Sequence, residues 1–282
     1  MKKIQFILIV LISNLCFGQI SGNLTDSKTG VPVVFANVWV KNTLKGSTTD
    51  IDGNFEIEKG KVGDTLLISY LGYEKVELPA KKINNIKLNP QDIQLDAVVI
   101  TKIKNPQIIS LNSYEDYNDI NMFYLNGHYS FARFYEHKKE YKQNTFVKKV
   151  SLVTVSTLEN VKFRMHLIEA DKDGNPTDKH LSSYIILETK SGKNEITIDL
   201  SDKKLLFPEN GLFIVVDRLN LKQNIFNSKH MTNVIEPGIG MEKRSKEKNT
   251  WLSYGGKWIP PKKIKKIAKK NKNIALNIEL SN

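Results

Sequence analysis

Along most of the chain, apolar and polar residues alternate in short runs broken by turn residues, the spacing of half-buried β-strands. Ala36, Val38 and Val40 alternate with Asn37, Trp39 and Lys41, while Leu66, Ile68 and Tyr70 alternate with Leu67, Ser69 and Leu71. Phe55 and Ile57 continue the pattern. Between these runs lie "DSKTGVP", "LKGS", "DIDGN" and "KVGD", which supply the Gly and Asx residues that turns need for positive φ or local side-chain hydrogen bonds. No helical period competes, and an all-β sandwich is predicted over residues 19–101. The polar stretch 102–121 has no clear period and reads as a linker. Eight further runs follow, among them "HYSFARFYE", "VKFRMHLIEA", "GLFIVVDRL" and "TWLSYGGKWI", and predict a second, jelly-roll-like β-sandwich over 122–282.

The first 18 residues depart from this pattern. Lys2 and Lys3 precede an apolar run from Ile4 to Leu15, and Gly18 closes it, the order of a secretory signal peptide. The run is too short to span a bilayer, and no later stretch reaches the roughly 18 apolar residues a spanning helix needs, so no transmembrane segment is expected in the mature chain. Leu15 before Cys16 disfavours a lipid anchor, which wants a small residue there. Cleavage after Gly18 leaves a chain without cysteine, so disulfides, a thiol nucleophile and thiolate metal sites are not expected.

The formal charge of +12 is concentrated. Twelve Lys or Arg stand against two Glu between residues 242 and 273, so any anion-binding footprint belongs to that segment. Export makes nucleic acid an unexpected partner despite this charge.

The motifs of the first region carry a resemblance. Gly22, Asp26, Gly30, Pro32, Ala36-Asn37-Val38, Gly46, Thr49-Asp50, Asp52-Gly53, Phe55, Gly63-Asp64, Ser69-Tyr70 and Gly72-Tyr73 occur in the order of the carboxypeptidase-regulatory-like domain. This segment resembles that family, a transthyretin-like β-sandwich common in the Gram-negative envelope. The resemblance implies that Thr49 to Phe55 form a hairpin, with Asp50 and Asp52 capping turn amides. The family also heads TonB-dependent outer-membrane receptors, and "LDAVVIT", residues 95–101, resembles the segment that follows it there. A full receptor barrel needs several hundred further residues, so transport is not implied, and a periplasmic, outer-membrane-associated or secreted location is.

Candidate chemistry is sparse. A calcium loop of the EF-hand kind starting at Asp50 needs Glu where Lys61 stands. "DKDGN" repeats the pattern at Asp171, Asp173 and Asn175, with Ser182 at the twelfth position, and is also read as a turn, its exposed oxygens offering at most weak calcium binding. "HLIE" has the zinc-carboxypeptidase spacing, but on an alternating strand His166 and Glu169 point to opposite faces. No glycine-rich phosphate loop, no Gly-x-Ser-x-Gly elbow and no paired metal-binding histidines appear, so neither catalysis nor a cofactor is expected.

Trp251, Tyr254 and Trp258, beside Lys262, Lys263, Lys265 and Lys266, have two readings. They form an aromatic platform with a cationic rim for a polysaccharide or anionic envelope component, or the indoles fill the core and the lysines are solvated. Ile264, Ile267 and Ala268 are spaced for a short basic amphipathic helix. The chain therefore reads as a non-catalytic exported binding module. The alternatives are an accessory protein-interaction module of an outer-membrane complex and an unrecognised hydrolase in the second region.

Overall fold

The computed structural model describes residues 19–92, 107–123, 127–141, 145–229, 231–242, 247–264 and 273–281. The expected signal peptide, the segment 95–101, His230, Lys265, Lys266, Ile267 and Ala268 lie outside these. The chain divides into two compact units, Met1–Asp92 and Ile93–Asn282.

The first unit contains β1 (Ile20–Asp26), β2 (Asn37–Val40), β3 (Gly46–Thr48), β4 (Asn54–Ile57), β5 (Thr65–Ser69), β6 (Val76–Pro79) and β7 (Ile83–Leu88). They form a three-stranded sheet in the order β4-β1-β7 and a four-stranded sheet in the order β3-β2-β5-β6. Only β1 and β7 pair in parallel. Ile20, Leu24, Phe55, Ile57 and Leu88 from one sheet meet Val38, Val40, Leu66 and Ile68 from the other in a single core. Alternation produces this directly, because every second side chain of each strand faces the opposite sheet. Gly22 is required by close approach: a Cβ there would lie 2.2 Å from the Asn84 carbonyl oxygen and 2.7 Å from the Phe55 ring.

The second unit contains β8 (Ile108–Leu111), β9 (Asn121–Phe123), β10 (Ser130–Tyr135), β11 (Phe146–Ser156), β12 (Val161–Ala170), β13 (Pro176–His180), β14 (Ile185–Thr189) and β15 (Gly192–Asp199). It continues with β16 (Leu212–Arg218), β17 (Ile225–Phe226), β18 (Val234–Ile235), β19 (Gly238–Met241), β20 (Thr250–Tyr254), β21 (Lys257–Ile259) and β22 (Leu276–Ser281). A seven-stranded sheet runs β13-β12-β16-β10-β20-β21, with β14 beside β13 along β12, and a six-stranded sheet runs β8-β22-β11-β19-β9, with β15 on β11. Phe131, Phe163, Met165, Leu167, Ile214 and Val216 of the first sheet pack against Val150, Leu152, Ile239, Leu276, Ile278 and Leu280 of the second.

Each of the eight predicted runs of this unit contains a strand, and "TWLSYGGKWI" contains two, β20 and β21. The stretch 102–121 differs from the linker reading: from residue 108 it is part of the sandwich. Ile108–Leu111 pairs with β22, Tyr114 and Ile120 pack with Val153 and Ala275, and the Tyr114 hydroxyl donates to Glu195 at 2.8 Å. The apolar spacing there is too short to register as a period, and the residues that give it meaning are distant in the chain.

Candidate functional site

Strand alternation gives the seven-stranded sheet an inner face in the core and an outer face with a different character. On the outer face Ser253, Ser130, Asp217 and Arg164 are in register across β20, β10, β16 and β12. Arg164 donates from Nε to Asp217 Oδ2 at 2.6 Å, and both side chains are buried. The Ser130 hydroxyl also bonds Asp217. The Arg164 guanidinium lies 4.0 Å from the centroid of the Tyr184 ring. His166 Nδ1 lies 3.4 Å from Asp217 Oδ2, and its ring stacks on His180 with centroids 5.0 Å apart. Tyr184 meets both imidazoles edge-on, at 4.9 and 5.7 Å.

Electrostatics follow from this burial. Loss of water alone would raise the Asp217 carboxyl, but the charges of Arg164 and His166 and the hydrogen bonds from Ser130 and Arg164 outweigh it and hold the group at about 2. Burial pushes His166 and His128 down to about 3, against the attraction of Asp217. Both are therefore neutral at pH 7, and the lasting partners of the carboxylate are Arg164 and Ser130. His180, partly buried, is lowered for the same leading reason, with Asp217 and Asp178 opposing. The Ser130 hydroxyl addresses Asp217 instead of an imidazole, unlike a nucleophile and its general base. Among the described residues no group of three or more His, Asp or Glu side chains is arranged to hold a metal ion.

A second buried arginine sits on the inner face. Arg218 lies 4.1 Å from the centroid of the Tyr129 ring and donates to the carbonyls of Ile235 at 2.8 Å and Gly127 at 3.0 Å. It closes the end of the sandwich using main-chain oxygens.

The predicted aromatic residues are divided by the sheet. Trp251 is in register with Ala132 and Trp258 with Ser253, so both project from the outer face near the edge strand β21. They are half-buried and pack with Phe134 over Ala132, Phe213, Val215, Ile168 and Ala170, Trp251 meeting Phe213 edge-on at 5.9 Å. Tyr254 lies on the opposite face, against the inner core. A three-ring platform is therefore corrected to a two-indole shelf, because adjacent strand positions alternate in direction. Gly255 and Gly256, both at positive φ, make the two-residue turn that sets this register. Lys262 and Lys263 are exposed on a short 3-10 turn, Pro261–Lys263, after which Ile264 is buried in the inner core.

The two acidic turns resolve alike. Asp171 Oδ1 accepts the amides of Asp173 at 2.9 Å and Asn175 at 2.8 Å, and the Asn175 side chain returns to the same carboxylate. Asp50 Oδ1 accepts the amides of Asp52 at 3.0 Å and Asn54 at 2.8 Å. In both, the carboxylate facing the turn is engaged by backbone N–H groups, the arrangement of an Asx-type hairpin turn. His166 and Glu169 separate as alternation requires, Glu169 pairing with Lys179 at 2.7 Å.

The charged cluster was not singled out in the sequence. Its signal was Arg164 and His166 at alternate positions of "VKFRMHLIEA" and the Asp217-Arg218 pair closing the apolar run of "GLFIVVDRL".

Comparison with known proteins bears mainly on the first unit. TonB-dependent receptor SusC of Bacteroides thetaiotaomicron is 39% identical over 111 residues, covering 36% of this chain and 11% of that receptor. TonB-dependent receptor P3 of Formosa agariphila is 29% identical over 105 residues, covering 36% and 10%. The chain thus spans about a tenth of the length of these curated relatives. Among solved structures, the clostridial cysteine protease Cwp84 is 10% identical, covers 61% of this chain and 40% of its own, and has a TM-score of 0.42, a likeness too distant to bear on chemistry. The family model of the CarboxypepD_reg-like domain matches residues 20–100, and that segment, from the Gly22 close approach through the Asp50 turn to Tyr73, is a domain of this kind.

Proposed function

We propose that the protein is a non-catalytic, exported envelope module associated with outer-membrane uptake, and that its second sandwich binds a glycan or envelope component on the Trp251–Trp258 shelf. The observation that carries the reading is the pairing of two half-buried indoles on one outer sheet face beside an edge strand. Such faces suit the C–H face of a sugar ring, and their rigidity keeps the entropic cost of binding low. The family match and the receptor relatives support the envelope context.

The test is binding of the chain from residue 19 to a panel of bacterial and plant polysaccharides and lipopolysaccharide at two salt concentrations. Saturable, salt-tolerant binding that is lost in Trp258→Ala supports the shelf. Binding lost only with salt, or with neutralisation of Lys262, Lys263, Lys265 and Lys266, moves the site to the basic segment. No binding to any member of the panel rejects the glycan reading.

A second reading, an accessory module acting through protein contacts, is favoured by Val31 and Ile51, 59% and 71% exposed on adjoining loops of the first domain. Cross-linking from Lys28, exposed beside Val31, to an outer-membrane receptor, abolished by Val31→Ser with Ile51→Ser, would support it.

A further inference from the structure

The edge of the seven-stranded sheet beside the buried ion pair is built in two pieces. β13 pairs with the end of β12 and β14 with its beginning, and residues 181–184 bridge them. At the break, Leu181 N–H donates to the Leu167 carbonyl at 2.9 Å, and the Ser182 hydroxyl accepts Leu167 N–H at 3.2 Å. At Leu167 two hydrogen bonds hold the bridge to β12, where an unbroken edge strand would make a ladder.

Beneath the bridge lie the two stacked imidazoles. His166 faces Arg164 from its own strand, Asp217 from β16, and Tyr184 from the bridge, while His180 faces Asp178 on its own strand and shares Asp217 and Arg164 with His166. His128, just before β10, interacts with the same Asp217, Arg164 and additionally Arg218. One buried carboxylate thus serves an arginine at 2.6 Å and stands near three imidazoles, and the second acid, Asp178, is exposed and faces His180, so a proton on His166 gains no buried carboxylate of its own. Tyr184 closes the arrangement by covering both the guanidinium and the rings.

We propose that residues 181–184 form an acid-released latch: protonation of His166 and His180 is accommodated by lifting the bridge, which admits water to the rings and frees both main-chain groups of Leu167. In the closed state burial disfavours the protonated form of both rings; in the open state they are hydrated and protonate as ordinary histidines, so each proton favours opening. The released edge is confined to this bridge, since β13 and β14 keep their own pairings to β12.

Native-state hydrogen exchange on the full chain, read as protection factors at pH 7 and pH 5.5, tests the latch. The Leu181 and Leu167 amides should lose between about tenfold and a hundredfold in protection, and their exchange at both pH values should be nearly independent of low urea, the mark of a local opening, whereas amides of β11 and β16 exchange through urea-sensitive global unfolding. His180→Gln, at a partly exposed position, should cut the loss at Leu181 to below about tenfold. Unchanged protection at Leu181, a urea dependence of Leu181 exchange as steep as that of β11 and β16, or a His180→Gln variant with the full pH response would each overturn the proposal.

Discussion

In the first sandwich the most deeply buried polar side chains serve the backbone. The Thr49 hydroxyl donates to the Val33 carbonyl at 2.6 Å and accepts the Ala36 amide at 2.8 Å, and Asn84 joins the Ser21 carbonyl to the turn at Lys81. In the second sandwich, buried polar groups include Arg164 and Asp217 paired with each other, Arg133 paired with Glu242 at 2.6 Å, Arg218, and two fully neutralised histidines. The difference matters energetically. A neutral side chain that caps backbone groups can be lost at about 1–3 kcal/mol, with the damage confined to its turn. A buried charge that loses its partner leaves an uncompensated ion, which costs several times more than the pair contributed.

Removing one member of the pair is therefore the largest single perturbation available. Asp217→Ala should destabilise the second sandwich by about 3–5 kcal/mol, because Arg164 remains buried without its carboxylate. The double variant Arg164→Met with Asp217→Leu should recover most of that loss. Urea unfolding of the full chain, with hydrogen exchange to assign the change to β12 and β16, measures both. A small effect of Asp217→Ala would erase the contrast between the sandwiches.

Acid sharpens the same contrast, since all five histidines lie in the second unit. His128 and His166 titrate near 3 when folded and near 6.5 when unfolded, so between those values the unfolded chain binds more protons and stability rises with pH. Lowering the pH from 7 to 5.5 should thus cost the second sandwich about 2–3 kcal/mol and leave the first nearly unchanged. Asp217 adds a further loss only as pH falls from its ordinary value through about 2. Urea midpoints at the two pH values, with His166→Gln as the variant that flattens the response, provide the measurement.

What was legible in the sequence follows the same division. The Asp50 and Asp171 turns are local, side chain to backbone within four residues, so their chemistry could be read without a partner. The eight main strands of the second unit announce themselves by alternation. The Arg164–Asp217 pair could not be read, because 53 residues separate its members and only the β12–β16 register brings them together. β13, "PTDKH", and β19, "GIGM", were missed because one is polar and the other is shaped by close approach: a Cβ on Gly240 would fall 2.7 Å from Ile120. Alternation through Gly255-Gly256 could have separated Tyr254 from the two indoles.

The smallest expected effect comes from the one device the two sandwiches share. Gly53 and Gly174 occupy the same position of the two acidic turns, at φ of +76° and +75°, and an alanine at either bears the left-handed cost of about 1–2 kcal/mol. Their surroundings differ. A Cβ on Gly53 would sit 2.5 Å from the Leu24 carbonyl oxygen, whereas on Gly174 it would meet only the Phe134 ring at 3.6 Å, an ordinary contact. The first turn is also tied to β1, Asn23 donating to the Asp52 carbonyl at 2.8 Å and to the Asn54 side chain at 3.0 Å, while the Asn175 amide merely returns to its own turn. Gly53→Ala therefore has to displace a strand as well as adopt a strained φ, and should exceed Gly174→Ala by about 1 kcal/mol in urea unfolding. Equal costs would mean that backbone conformation alone governs both turns, and that the first sandwich is no more tightly built around its turn than the second.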